Sequence, residues 1–233
     1  MKFKTTKVKN VIEFPDIAFD RTQEWFGSRI LYWLIDWKYR KAVSLSDWLE
    51  EQVQNPTKEL IEFADSINTG KTYDETVRNV LIRVIKEIKY IADDAKWEIP
   101  EKWATAHETL TLTTTTTKGT YYPAKSGDCE DGAILMYVIC RLKGVPANRF
   151  LLFAGDVKGG GHCWLGYKPS FAPWLFTFMD WCYWPSTKTV IDRDKFFVMS
   201  QDDINVIHPV SNYYRVWFGF NEDVAFNKFK YKF

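Results

Sequence analysis

Cys129 stands where a cysteine can be made reactive. It follows Ser126-Gly127-Asp128 and opens a segment reaching Leu142. Within it Ile134, Leu135, Val138, Ile139 and Leu142 recur at helical spacing. Asp128 suits the N-cap, Asp131 falls in the first turn, and Gly144 with Pro146 stops the helix. A thiol attacks only as its thiolate, and an ordinary pKa near ~8.5 keeps it mostly protonated at neutral pH. The positive end of a helix dipole and an adjacent imidazole both favour the thiolate. The helix start supplies the first of these. First-turn N–H groups have no intrahelical partner, so the Cys129 N–H is placed to bind an oxyanion.

A base must come from His107, His162 or His208, the three histidines of the chain. His107 lies in a polar stretch upstream, and His208 precedes Pro209 near the C-terminus. His162 follows Gly159-Gly160-Gly161 and begins a strand to Tyr167, so its imidazole can project beside a helix end. A further strand, 174–181, is rich in Trp, Leu, Phe and Met and contains Asp180. A carboxylate after such an apolar run is costly to bury without a hydrogen-bonded partner. An imidazole on the adjacent antiparallel strand is a natural one, although Asp192 and Asp194 compete for the role. The expected chemistry is acyl transfer: thiolate attack on an amide carbonyl, a proton from His162 to the departing amine, and a thioester resolved by water. Resolution by an amine would instead crosslink. Trp103 or Trp97 is the candidate second oxyanion donor, with packing the plainer role for any Trp here.

These residues lie in a longer pattern. Gly127-Asp128-Cys129-Glu130-Asp131-Gly132-Ala133, Gly144-Val145-Pro146-Ala147, Gly160-Gly161-His162-Cys163-Trp164 and Met179-Asp180 together resemble the transglutaminase-like superfamily. The likeness is nearest to its bacterial and phage transglutaminase-like cysteine peptidases. Trp103-Ala104-Thr105 and Glu108-Thr109-Leu110 resemble the segment before the nucleophile in that group. The resemblance covers roughly Tyr73 to Trp184, with Tyr213 to Asn221 similar to a closing aromatic strand, and does not reach the first seventy residues. It implies Cys129 as nucleophile, His162 as general base and acid, and Asp180 as the orienting carboxylate. It implies an α+β, papain/transglutaminase-like core with the nucleophile helix packed on an antiparallel sheet. It also implies a protein or peptide substrate, and a virion association were the chain phage-encoded. Some relatives suggest calcium at Asp128 and Glu130; the residues themselves read as first-turn carboxylates favouring the helix dipole. Asp180 is followed by Trp181-Cys182 where the family carries a smaller turn.

The surrounding elements must bring these groups together. Helical stripes run over Thr22–Lys41, Leu45–Gln54, Thr57–Ile67 (capped by Asn55, with Pro56 at its first position) and Tyr73–Ala92 (capped by Asp74). Thr111–Thr120, with five consecutive threonines from Thr113, reads as an inserted loop or hairpin. Strands are expected at Arg149–Val157 and Tyr213–Phe220, with a short helix or strand at Phe196–Ser200. Helices first and strands later give an α+β order. We expect a helical extension over 1–70 and a catalytic domain over 71–233.

The 233 residues carry 31 Lys plus Arg against 30 Asp plus Glu, and so lack the basic excess of a nucleic-acid binder. No run is long enough to span a membrane, and no apolar signal core follows the basic N-terminus, so a cytoplasmic protein is expected. The four cysteines show no paired spacing, so reduced thiols are expected. A zinc site from Cys129, His162, Cys163 and Cys182 is disfavoured, because strand neighbours His162 and Cys163 face opposite ways. No metal or cofactor is required by this chemistry. The 11 tryptophans belong mainly to the core, yet Tyr121, Tyr122, Trp164, Trp174, Trp181 and Trp184 could line a groove for an extended substrate. The alternative to a peptidase or amidase is a crosslinking transglutaminase or deamidase, or a catalytically silent binding module of the same fold.

Overall fold

The structure is a computed structural model, and it describes residues 45–157, 160–171, 173, 175–182, 198–200 and 213–227. The expected helix at Thr22–Lys41, and Asp192, Asp194, His208, Trp174 and Trp184, lie outside the described residues.

Helices α1 (Leu45–Gln54), α2 (Lys58–Asp65) and α3 (Tyr73–Glu87) come first. The caps differ from the sequence expectation. Thr57 rather than Asn55 caps α2, its side chain accepting from Leu60 N–H, and Thr72 rather than Asp74 caps α3 by accepting from Glu75 N–H. Asp74 is drawn away by Tyr167, whose hydroxyl donates to Asp74 Oδ1 at 2.6 Å. Helix α3 also stops at Glu87, although Ile88 and Ile91 continue its apolar stripe. Strand β1 (Lys89–Tyr90) pairs in parallel with β4 (Ser126–Gly127), and this pairing takes the backbone out of the helix. A short helix α4 (Asp93–Lys96) follows, then α5 (Ala106–Thr111), whose Thr105 and Glu108 form a reciprocal capping box. The threonine-rich insertion is a small hairpin, with β2 (Thr114–Thr115) antiparallel to β3 (Tyr121–Tyr122).

Helix α6 (Cys129–Leu142) is the centre of the molecule. Every residue from Glu130 to Cys140 is buried, so the helix is enclosed on all sides rather than striped. It packs against α1, α2, α3 and α5 on one side and against β5 (Phe150–Val157) and β6 (Gly160–Tyr167) on the other. The main sheet has the order β10-β9-β5-β6-β7-β8, with β7 (Leu175–Met179), β8 (Val198–Ser200), β9 (Tyr213–Phe220) and β10 (Ala225–Asn227), and each neighbouring pair is antiparallel. The architecture is α+β, with the Cys129 helix on an antiparallel sheet, as expected. Phe150, Leu152, Ala154, Cys163, Leu165 and Tyr167 face α6, and leucines and aromatics of α1 and α2 join the same core. The opposite face carries Leu151, Phe153, Trp164, Phe176 and Phe178. No helix among the described residues is long and apolar enough to cross a membrane. All four cysteines are free.

Candidate functional site

The start of α6 is held by glycines on both sides of Cys129. A Cβ on Gly127 would lie 2.3 Å from Asp131 Oδ2, and one on Gly132 would lie 2.2 Å from the Trp181 ring. Asp131 Oδ1 accepts from Ala104 N–H at 2.9 Å, which ties the Trp103-Ala104-Thr105 segment to the first turn. Trp181, the bulky residue where a small turn was expected, lies over Gly132 and donates its indole N–H to the Cys129 carbonyl at 3.1 Å. Gly132→Ala is therefore expected to destabilise by about 1–3 kcal/mol through overpacking and to loosen the turn carrying Cys129. Thermal unfolding with Trp fluorescence checks this. An unchanged Tm would show that Trp181 yields at no cost.

His162 and Asp180 meet. The antiparallel register of β6 and β7 ends at Leu165 opposite Met179, leaving Asp180 just beyond the strand. His162 Nε2 and Asp180 Oδ2 are 2.6 Å apart, across an 18-residue separation, and Asp180 is fully buried. Asp180 Oδ1 also accepts from Cys182 N–H at 3.0 Å, which fixes the carboxylate plane. Trp164 stacks on the imidazole, with centroids 6.0 Å apart and an interplanar angle of 18°. Cys129 Sγ reaches the same strand, accepting from Cys163 N–H at 3.4 Å, and its thiol lies 3.1 Å from Glu130 Oε2. The structure thus brings the Cys129 sulfur to Cys163, the residue beside His162 on the same strand.

The electrostatics of Cys129 run against a preformed thiolate. Burial pushes its thiol well above the ordinary value, and the Asp128 carboxylate adds to this. A helix start contributes about 0.3–1 kcal/mol in the opposite direction, whereas burying a charge shifts a pKa by several units. Burial wins, and Cys129 rests as the thiol.

Sequence reasoning named Asp128, Glu130 and Asp131 around that thiol but missed Asp93 and Glu101, which join them. Oxygens of Asp93, Asp128 and Asp131 lie within 4.8 Å of one another, and those of Asp93, Glu101 and Glu130 do so as well. Burial raises Asp93 to about 7 and Asp131 to about 6. Asp128 and Glu130 are both raised, first by burial. Asp93 Oδ1, Asp128 Oδ1, Glu130 Oε1 and Asp131 Oδ2 have no hydrogen-bond partner among the described residues. Lys96 is fully buried beside them, donating to Ser126 O at 2.6 Å, and burial pulls its ammonium pKa down. Nothing in the local pattern of Asp93 marks it: the cluster arises because β1 pairs with β4 and brings α4 against the start of α6.

The expected aromatic roles change. Trp103 N–H donates to Glu101 Oε1 at 2.9 Å, and its ring lies against Phe218 and Phe220. The Trp97 N–H is buried, and Lys102 Nζ sits 3.5 Å from that ring's centroid. Trp164 is 1% exposed and Trp181 5%, so both are core and cannot line an open groove. Tyr121, at 62%, is exposed. His107 is held by threonines instead, with Nδ1 3.0 Å from Thr57 Oγ1.

No protein-family model and no curated protein matches the chain. Among solved structures it is similar to Legionella pneumophila LapG. The calcium-bound form is 15% identical over 78% of this chain and 87% of LapG, with a TM-score of 0.45. The EGTA-treated form is 15% identical over 79% and 86%, with a TM-score of 0.46. At these values the likeness is distant, and the chemistry of the site rests on this chain's own residues.

Proposed function

We propose that the chain is a cysteine-nucleophile enzyme that cleaves amide bonds through a thioester, with Cys129 attacking, His162 moving the proton and Asp180 orienting the ring. The observation that carries this is the buried His162–Asp180 hydrogen bond on the strand whose next amide touches Cys129 Sγ. With Nε2 committed to Asp180, proton transfer runs through Nδ1. The thiol is deprotonated by general-base catalysis as it attacks, since burial opposes a standing thiolate. The Cys129 N–H, at the helix start, serves the oxyanion. A protein or peptide is the substrate class this chemistry addresses.

Iodoacetamide labelling tests the pair. Cys140 and Cys163 are buried, while Cys129 and Cys182 are partly exposed and serve as each other's comparison. Cys129 is expected to label faster than Cys182, and His162→Ala to slow Cys129 at least tenfold. Equal rates at both cysteines, unmoved by His162→Ala, would sink the reading. Incorporation of an amine donor into a glutamine substrate without hydrolysis would place the chain with the crosslinking alternative.

The acid cluster supports a second feature of the same site, a hard divalent cation. Its donors are all carboxylate oxygens, four of them buried without a partner among the described residues, which is the chemistry calcium takes. Asp93, Asp128 and Asp131 would hold it, with Glu101 and Glu130 grouped on Asp93 as further donors. When bound, it would supply positive charge beside the nucleophile turn and fasten α4 to α6.

A further inference from the structure

The oxyanion of an attacked carbonyl needs two donors to be well held, and only one, the Cys129 N–H, follows from the helix start. Neither expected indole serves. Trp103 points its N–H at Glu101, and the Trp97 N–H is shut away beneath Lys102.

Tyr90 is in the right place. It pairs with Gly127 across the parallel β1–β4 ladder, and Ile91 N–H donates to Gly127 O at 2.9 Å, which fixes the backbone of residue 90 two positions from Cys129's own segment. Its ring lies 5.8 Å from that of Trp181, the side chain that grips the Cys129 carbonyl. The residue is 53% exposed, so the ring borders solvent. Burial and the neighbouring thiols and acids raise its pKa, so the phenol keeps its proton as an O–H donor. No packing need explains the hydroxyl, since the ring alone makes the Trp181 contact.

We propose that the Tyr90 hydroxyl is the second oxyanion donor, acting with the Cys129 N–H. The inference rests on the proposed cysteine-nucleophile function. As Sγ bonds to the carbonyl carbon, the C=O π pair moves onto oxygen, and Tyr90 O–H donates to that charge. The pair then returns, the C–N bond breaks, and the amine leaves with the proton that His162 took from the thiol. Tyr90 itself keeps its proton throughout.

Tyr90→Phe keeps the ring and removes the donor. The probes are p-nitrophenyl acetate, which acylates through an oxyanion, and iodoacetamide, which alkylates the same sulfur without one. Acylation of Cys129, mapped by mass and timed by p-nitrophenolate release, is expected to fall about 10²-fold in the variant. Alkylation of Cys129 is expected to stay within about twofold. Unchanged acylation would overturn the role of Tyr90 and leave the enzyme intact. A parallel fall in both reactions would overturn it too, because Tyr90 would then be acting on the thiol. If the wild type shows no acylation at Cys129, the proposed function fails and the Tyr90 role falls with it.

Discussion

Asp180→Asn is expected to lower Cys129 acylation by about 10³–10⁴-fold while leaving the fold in place, the scale of loss seen when an orienting carboxylate becomes an amide. The reason lies in which nitrogen carries the proton. Asp180 Oδ2 accepts at 2.6 Å from His162 Nε2, so Nε2 must be the N–H and Nδ1 the basic nitrogen. In the variant, Oδ1 can still accept from Cys182 N–H, which leaves the amide NH₂ facing Nε2. Two donors cannot face each other, so the ring either flips tautomer, placing a proton on Nδ1, or loses its anchor. In both cases the base that should take the Cys129 proton is gone. Asparagine is nearly isosteric, and neutralising a fully buried carboxylate removes a desolvated charge, so little stability is at stake. The measurement is the acylation rate with p-nitrophenyl acetate, alongside thermal unfolding. A loss smaller than about tenfold at unchanged Tm would show that Asp180 does not orient the base.

Much of this site could be read from local signals. Helix α6 was legible because apolar residues at helical spacing and the Gly144-Pro146 stop are properties of the segment itself. The same holds for β6 after its glycines. The choice of Asp180 leans most on the family resemblance, since Asp192 and Asp194 compete for the role; the burial cost of a carboxylate ending an apolar strand only supports it, and the fully buried Asp180 bears that cost with its hydrogen bonds. What was hidden depends on distant pairing. The apolar spacing of Ile88 and Ile91 promised a longer α3, but parallel pairing of Lys89-Tyr90 with Ser126-Gly127 outweighs that propensity. That pairing sets Tyr90 against Gly127 and Asp93 against Asp128 and Asp131, and neither has a neighbour in sequence that betrays it. Trp164 shows the opposite failure. Aromatic richness allowed a groove, whereas period-2 alternation with the core-facing Cys163 places Trp164 inside the second core cluster. The helix dipole likewise named one contributor to Cys129's pKa and omitted the larger one, burial.

The acid cluster gives the second large prediction, an unusual dependence of stability on pH that calcium abolishes. Asp93 is raised from 3.8 to about 7 by burial, so between these values the folded state holds a proton that the unfolded chain has released. Stability from this group is full below its unfolded pKa and is lost as pH rises through the folded one. Asp131, raised to about 6, adds to the same slope. Other carboxylates act in reverse: Glu108 is lowered, its hydrogen bonds from Thr105 N–H and Lys102 outweighing burial, and so gains stability as pH rises. The difference between the wild type and Asp93→Asn isolates the cluster, because asparagine never ionises and its oxygen can still accept from Lys102 N–H. In chelator-treated protein, Asp93→Asn is expected to gain on the wild type as pH goes from about 5 to about 8, by a few kcal/mol at roughly 1.36 per pKa unit. Calcium binds the ionised carboxylates and expels their protons, so it should act most strongly at the alkaline end. At about 100 times its Kd it adds about 2.7 kcal/mol, or roughly 5–10 °C in Tm for a domain of this size. The gap between the two proteins then closes, because Asp93→Asn lacks a ligand and gains less from calcium. A wild-type Tm at pH 8 identical in calcium and in EGTA would leave the cluster a set of buried acids beside Lys96, and not a cation site.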